Sequence, residues 1–93
     1  MEISYSVRYH QELVDSDIPS LDVIIRKRIK QAIEQKLMFQ PDVYGKPLRR
    51  SLKGYRKLRV GDFRVVFRIE KKIVFVIAIL HRSIIYQDLD IRL

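Results

Sequence analysis

The feature that most constrains the fold is the stretch "GYRKLRVGDFRVVFRIEKKIVFVIAILHR", residues 54–82, in which three strand-like runs are joined by two tight turns. Alternation at period two is typical of a β-strand with one buried face. Gly61 and Asp62 separate the first two runs, and a Gly-Asp pair predicts a two-residue hairpin turn because glycine accepts positive φ. Lys71 and Lys72 are the corresponding pair between the second and third runs. The stretch therefore predicts three antiparallel strands.

These turns predict a register and two faces for the strands. The first turn places Arg59 directly opposite Arg64, and a two-residue second turn places Arg64 opposite Ile79 and Asp62 opposite His81. Because side chains alternate across a strand, one face is predicted to form the core: Leu58, Val60, Phe63, Val65, Phe67, Ile69, Val74, Val76, Ala78 and Leu80. The other is predicted to be basic and bounded by apolar residues: Tyr55, Lys57, Arg59, Arg64, Arg68, Ile77, Ile79 and His81.

The residues before this stretch predict a strand and two helices. Residues 3–9 alternate like a strand, and residues 10–17 could form a short helix broken by Pro19. A second helix follows, capped by Ser20 or Asp22 and ended by Pro41, and residues 41–54 read as a loop. Its apolar stripe, with Ile24 and Ala32 beside it, consists of Leu21, Ile25, Ile29, Ile33 and Leu37.

The predicted fold class is α+β, in a single domain spanning residues 1–93. An N-terminal strand and two helices would pack on one face of a twisted, mainly antiparallel sheet. The sequence has no cysteine and two histidines, so neither a disulfide framework nor an all-protein zinc site is expected, and no cofactor is predicted. No apolar run approaches the ~20 residues of a membrane span, and no secretory signal is evident, so the expected compartment is the cytoplasm.

Charge is distributed unevenly along the chain. The net charge is +8, but residues 1–44 carry −1 and residues 45–93 carry +9. A basic half is typical of a domain that binds nucleic acid or another polyanion, and a solvated basic surface is the alternative. Like charges directly opposite in an antiparallel pair are unfavourable by roughly 0.2 to 1 kcal/mol. Opposing Arg59 and Arg64 therefore indicate either a bound anion or long side chains that splay into water.

The stretch "PDVYGKPLRRSLKGYRKLRVGDFRVVFRIEKKIVFVIAILHRSIIY" resembles the RelE/ParE superfamily of toxins from bacterial and archaeal toxin–antitoxin modules, and it is closest to the RelE side. The "YRKLRVGDFRVVF" hairpin and the closing His-Arg followed by Tyr carry most of the resemblance, which extends over essentially the whole chain. It implies a small microbial RNase fold with a concave basic face. RelE-type members enter the ribosomal A site and cleave the mRNA there.

The resemblance also implies roles for individual residues. Arg64 matches the central strand arginine of the family, Arg82 the arginine at the end of the last strand, and Tyr86 the C-terminal tyrosine that stacks near the scissile nucleotide. Lys57 matches one of two lysines of the best-known branch, whereas Tyr55 occupies the position of the other. The predicted catalytic residues are accordingly Lys57, Arg64, Arg82 and Tyr86. The predicted RNA-binding residues are Arg49, Arg50, Lys53, Arg59, Arg68 and His81.

The chemistry of metal-free RNA cleavage fits these residue types. The 2′-hydroxyl attacks the neighbouring phosphate, which requires a base, positive charge on the phosphorane and a proton for the leaving oxygen. Arg59, Arg64 and Arg82 are candidates for holding the phosphate, and Arg82 is also a candidate proton donor. Lys57, Tyr86 and His81 are the candidate bases, among which histidine needs the smallest change to act near pH 7.

Two other functions use the same fold. A ParE-like toxin would inhibit DNA gyrase by binding, and an inactive member would bind RNA without cutting it. As a toxin, the protein would also require an antitoxin partner, RelB-like and partly disordered when free. We expect mRNA on the 70S ribosome as the target and no membrane partner.

Overall fold

The computed structural model describes residues 4–48 and 54–92. Within these ranges five strands form one sheet in the order β1-β5-β4-β3-β2. The strands are β1 (Ser6–Tyr9), β2 (Lys46–Pro47), β3 (Tyr55–Val60), β4 (Phe63–Glu70) and β5 (Ile73–His81). The helices are α1 (Ile18–Ser20), α2 (Val23–Ala32), α3 (Pro41–Tyr44) and α4 (Ile85–Arg92), and π-helical turns at Leu13–Asp17 and Ile33–Leu37 adjoin α1 and α2.

The sheet is antiparallel except that β1 runs parallel to β5, which confirms the predicted α+β class. Arg59 lies opposite Arg64, as the first turn predicts. Gly61 has φ +61°, and Lys71 occupies the equivalent position of the second turn with φ +56°. Both turns therefore have two residues, with positive φ at the first, which is the position where a type II′ turn prefers glycine.

The two N-terminal helical segments pack on one face of the sheet, as predicted. Leu21, Ile29, Ile33 and Leu37 of the stripe are buried against the strands, with Ile25 at the margin. Asp22 caps α2, its carboxylate accepting a hydrogen bond from the Ile25 amide at 2.9 Å. The prediction that Ile24 lies beside the buried apolar stripe is wrong. Ile24 is 72% exposed, because it lies about 100° around the helix from Ile25.

Both proline predictions need correction. The first helical segment continues past Pro19 to Ser20, because the π-helical turn Leu13–Asp17 passes directly into α1. The second helix ends at Leu37, and Pro41 begins the short helix α3 rather than ending α2. The predicted loop over residues 41–54 thus contains α3 and β2.

A bulge in β5 changes the predicted faces. Phe67 pairs with Val76 but Val66 pairs with Ala78, so Ile77 is the extra residue. Beyond it, Arg64 faces Leu80 and Phe63 faces His81, and the predicted pairs Arg64 with Ile79 and Asp62 with His81 are wrong.

The side chains beyond the bulge exchange faces accordingly. Ile79 packs in the helix-covered core, whereas Ala78 and Leu80 pack on the opposite side of the sheet. Every residue from Val74 to Leu80 is apolar, so the alternation that would have revealed the shift is missing in this part of the strand.

The opposite face carries a second apolar cluster beneath α4. Ile85 and Leu89 of α4 are buried against Val66, Ala78 and Leu80. The second face of the sheet is therefore basic along β3 and covered by a helix along β5, rather than open throughout. Among the helices of the described ranges, none is long and apolar enough to cross a membrane.

Candidate nucleic-acid interface and active site

Four basic side chains share one face of the sheet at its β2–β3–β4 edge. Lys46 lies directly opposite Lys57, and Arg59 lies directly opposite Arg64. Because directly opposed residues, and residues two apart on a strand, point to the same face, the four cations converge. They line a cavity of about 400 Å³, here called the basic cavity, together with Lys36, Tyr44 and Leu58.

The local fold brings β2 to this edge. Arg56, on β3, donates a hydrogen bond from Nη1 to the Gly45 carbonyl oxygen at 3.0 Å. A side chain at Gly45 would place its Cβ 2.2 Å from Cζ of Phe67 in the core, so only glycine allows the chain to pass so close. These two contacts hold Lys46 beside Lys57.

The guanidinium of Arg64 is fixed by the hairpin turn. Its Nη1 donates to the carbonyl oxygens of Gly61 and Phe63, each at 3.0 Å. A guanidinium has five N–H donors, so Nε and Nη2 keep three for a ligand. Arg64 is therefore a half-buried, oriented cation of the kind that binds phosphate oxygens bidentately.

Tyr86 reaches the same face from the first turn of α4. The Nζ of Lys57 lies 6.0 Å from the centroid of the Tyr86 ring, at the limit of a cation–π contact. Tyr86 is half-buried and packs against the second apolar cluster. The structure thus brings together Lys57, Arg59, Arg64 and Tyr86 of the predicted site.

Arg82 lies at the end of β5 and is connected to the same hairpin turn. Its amide donates to the Asp62 carbonyl oxygen at 2.8 Å, and its Nε lies 3.8 Å from Oδ1 of Asp62. Both side chains are largely exposed, so this ion pair is weak and the Arg82 guanidinium can leave it for a phosphate. The turn at Gly61–Asp62 therefore anchors two candidate arginines.

Arg68 and His81 do not join this cluster. Arg68 is paired with Glu70 and lies over the Phe75 ring at 4.3 Å. His81 shares a face with Phe63, whose ring it meets edge-on at 5.5 Å, and therefore lies on the side of the sheet opposite Arg64. Its Nδ1 accepts a hydrogen bond from the Ser83 amide at 3.2 Å. The expectation that His81 shares the basic face is wrong, because the bulge turns it away.

Sequence reasoning missed three residues of the cavity: Lys36, Tyr44 and Lys46. Lys36 and Tyr44 are joined by a cation–π contact at 5.5 Å, and no sequence pattern indicates that the end of the second helix meets the edge of the sheet. The position of Lys46 could not be predicted either, because a two-residue strand within a loop has no periodicity in its sequence. The predicted Arg49, Arg50 and Lys53 lie outside the described residues.

The cavity is electrostatically one-sided. Its charged lining residues are all cationic, and none of them forms an ion pair with a carboxylate of residues 4–48 or 54–89. No group of three or more histidine, aspartate or glutamate side chains in those ranges is placed to hold a metal ion. Oriented guanidinium groups without acidic partners can bind a phosphodiester and stabilise charge that develops on it.

The fold and this basic edge define a small toxin of the RelE/ParE type. The family model for the ParE toxin of the type II toxin–antitoxin system parDE matches residues 7–86. The chain therefore belongs to this family, and it is the toxin of a type II toxin–antitoxin system. The search of curated proteins gives no match.

Solved structures place the chain on the RelE side of the superfamily. The toxin–antitoxin complex RelBE2 from Mycobacterium tuberculosis is similar at 29% identity and a TM-score of 0.78, over 86% of this chain and 100% of that one. A RelE mutant of E. coli in the free state is 16% identical, with a TM-score of 0.72 over 97% of this chain and 98% of that one. The RelB–RelE complex from Methanococcus jannaschii is 23% identical, with a TM-score of 0.65 over 86% and 95%.

Proposed function

We propose that the protein is a ribosome-dependent endoribonuclease that cleaves mRNA in the A site and thereby inhibits translation. The observation that carries the proposal is the convergence of Lys57, Arg59 and Arg64 on one cavity, with the Tyr86 ring beside Lys57. Cations without acidic partners next to an aromatic ring suit an RNA phosphate and its neighbouring base. The similarity to the toxin–antitoxin complex RelBE2 supports a RelE-type toxin.

In the proposed reaction a base removes the proton of a 2′-hydroxyl, and its oxygen attacks the adjacent phosphorus. The bond from phosphorus to the 5′ oxygen breaks, leaving a 2′,3′-cyclic phosphate, and the departing 5′ oxygen takes up one proton to become a 5′-hydroxyl. Lys57 and Tyr86 are the candidate bases on the basic face, whereas His81 points away from it. Arg64, oriented by the Gly61 and Phe63 carbonyls, stabilises the phosphorane. The arginines supply the positive charge, so the reaction as proposed needs no metal.

Arg82 completes the proposed site from the end of β5. Its pairing with Asp62 holds it near the turn that fixes Arg64. When RNA binds, Arg82 would exchange this exposed carboxylate for a phosphate oxygen, or supply the leaving oxygen with a proton through its hydrogen-bond network. The ribosome would provide the substrate geometry, and orientation contributes much of the rate.

The first experiment is primer extension on an mRNA in programmed 70S ribosomes, with and without the protein, beside the same mRNA free in solution. Cuts confined to the A-site codon support the proposal. Arg82→Ala and Tyr86→Ala should abolish growth inhibition while the proteins still fold, and Arg8→Ala, an exposed cation of β1 at the other edge of the sheet, is the matched control. Unchanged toxicity in both variants contradicts the proposal.

The identity of the base can be decided with two further variants. Tyr86→Phe retains the ring and removes the hydroxyl, so it loses cleavage if Tyr86 is the base and retains most of it if the ring only stacks. Lys57→Gln removes the amine and should abolish cleavage if Lys57 is the base. Single-turnover cleavage in programmed ribosomes separates these effects from binding.

Inhibition of DNA gyrase is the second candidate function, because the matching family model is that of the ParE toxin. Gyrase-dependent DNA cleavage in the presence of the purified protein, with the mRNA intact, would make it the preferred one. Salt-sensitive RNA binding without scission in either assay would indicate an inactive member.

We further propose a RelB-like antitoxin as the partner that silences the protein. Three of the similar structures are complexes of RelE-type toxins with RelB-type antitoxins. The unpaired cations of the basic cavity suit acidic residues of such a partner, which would fold as it binds. Co-expression with the neighbouring gene product should restore growth and yield a complex that survives size exclusion.

A further inference from the structure

A second cationic cavity lies on the helix side of the β3–β4 hairpin. It measures about 230 Å³ and is lined by Arg28, Gln31, Gln35 and Lys36 of the second helix, and by Arg59 and Gly61 of the hairpin. Arg28 and Arg59 are exposed, and Lys36 is half-buried. This hairpin-side cavity contains no carboxylate in its lining, and its two glutamines add neutral hydrogen-bond donors.

The hairpin-side cavity adjoins the basic cavity. Lys36 and Arg59 line both of them, so the cationic surface does not stop at the edge of the sheet. It runs from Lys57 and Arg64, past Arg59 and Lys36, to Arg28 on α2. We infer that this track holds the backbone of the same RNA strand that is cut, so that nucleotides flanking the scissile bond cross the hairpin edge onto α2.

The geometry at Gly61 keeps the track open. The nearest atoms to a Cβ built at Gly61 are Nη1, Nη2 and Cζ of Arg28, at 3.4 to 3.8 Å. The Arg28 guanidinium therefore lies against the bare backbone of the turn, on the side opposite the sheet face that carries Arg64. Any side chain at this position would contact the guanidinium and narrow the cavity.

Charge supports the assignment of a nucleic-acid backbone as the ligand. Among residues 4–48 and 54–89, no carboxylate is ion-paired with Arg28, Lys36 or Arg59. By contrast, Lys30 on the same helix is paired with Glu34 at 3.9 Å. A row of cations without carboxylate partners, beside a cavity with no aromatic residue in its lining, is suited to phosphates and carries no base readout.

This inference rests on the proposed function, because it assigns the flanking part of the same substrate. It can be tested without cleavage, using 2′-O-methyl RNA oligonucleotides of 4 and 12 nucleotides, which lack the attacking hydroxyl. Fluorescence anisotropy gives Kd for each at several salt concentrations. Wild-type protein should bind the longer strand at least tenfold more tightly, with a salt slope steeper by about 0.7 for each added phosphate contact.

The decisive variants are Arg28→Gln and Lys36→Met, the latter keeping the half-buried alkyl stem. Each should weaken binding of the 12-mer and lower its salt slope by about 0.7. Arg28→Gln should leave binding of the 4-mer unchanged, because Arg28 lines only the hairpin-side cavity. Lys36→Met should weaken the 4-mer as well, because Lys36 lines both cavities. Arg28→Lys should restore the slope. Lys27→Gln is the matched control, because Lys27 is an exposed cation of α2 that lines neither cavity. Thermal unfolding of each variant shows that it remains folded.

Several outcomes would overturn the inference. They are equal affinity of the wild-type protein for both lengths, no measurable binding of either, or Arg28→Gln and Lys36→Met behaving like Lys27→Gln. Loss of antitoxin binding with unchanged RNA binding would assign the cavity to the antitoxin instead.

If ribosomal cleavage fails but the length dependence stands, the proposed function fails and the track survives. If cleavage occurs and the two variants bind RNA like the control, only the track fails.

Discussion

At the scale of single residues, the arrangement of Arg64 depends on the shape of a guanidinium. One nitrogen bridges two carbonyl oxygens of the turn while the others remain available. Arg64→Lys keeps the charge, but one ammonium group cannot both bind the turn carbonyls and present oriented donors to a phosphate. We therefore expect cleavage in programmed ribosomes to fall by about 10²-fold or more with the fold retained. Arg8→Lys is the control at the opposite edge. A lysine variant as active as wild type would show that charge alone is sufficient.

Tyr9 provides a prediction for the effect of pH on stability. Partial burial, and secondarily the nearby Glu34 carboxylate, raise the pKa of the Tyr9 phenol above its ordinary value of 10.0. A raised pKa in the folded state contributes stability below pH 10 that is lost as pH rises through the folded value, because the unfolded chain releases its proton first. The stability of wild type relative to Tyr9→Phe should therefore decrease above pH 10. Denaturant unfolding of both proteins between pH 8 and 11 measures the difference in their free energies of unfolding. A difference that stays constant over this pH range contradicts the prediction.

At the scale of elements, the second hairpin turn is strained where the first is not. Lys71 has φ +56°, in the left-handed region that glycine occupies at the equivalent Gly61. Lys71→Gly removes a strain of about 1 kcal/mol, and the extra entropy of the unfolded chain offsets part of this gain. We expect a net increase of a few tenths of a kcal/mol in the free energy of unfolding. The same substitution at the exposed Lys30, inside α2, should lower it by about 1 kcal/mol.

Asp17 connects the first helical segment to β5 beyond the end of β1. It is 5% exposed, and its Oδ2 accepts a hydrogen bond from the Ile79 amide at 2.9 Å. Asp17→Ala leaves that amide without its acceptor, which should cost about 1 to 3 kcal/mol of unfolding free energy. Asp15→Ala removes an exposed carboxylate two residues away and should change stability by less than about 0.5 kcal/mol. If urea unfolding shows that Asp17→Ala and Asp15→Ala lower the free energy of unfolding equally, the hydrogen bond to the Ile79 amide does not contribute to stability.

The elements also show which parts of the fold could be predicted from the sequence. The pairing of Arg59 with Arg64 in the hairpin could be predicted from Gly61 and from the alternation of apolar and polar residues around it. The structure has this pairing. The bulge at Ile77 could not be predicted, because an apolar run satisfies either face, and it takes His81 away from the basic side. The site residues Lys36 and Lys46 depend on tertiary packing alone.

At the scale of the whole molecule, excess positive charge opposes folding and a polyanion should relieve it. The net charge is +8, and like charges stand opposite each other at Arg59–Arg64 and Lys46–Lys57. Sodium chloride screens this repulsion and should raise Tm slightly. Tripolyphosphate should raise it more, because a ligand of the folded state alone adds about 2.7 kcal/mol at 100 times its Kd.

The comparison is made by thermal unfolding at equal ionic strength in chloride and tripolyphosphate. The extra stabilisation should shrink in Lys57→Gln and Arg59→Gln, since both remove cations from the basic cavity, and should persist in Arg8→Gln at the far edge of the sheet. If tripolyphosphate and chloride raise Tm equally, both act only by screening, and the basic edge behaves as a diffuse charge with no localised phosphate site. A selective effect that follows Lys57 and Arg59 instead identifies a localised phosphate site, because screening alone depends on ionic strength and hardly on which exposed cation is removed.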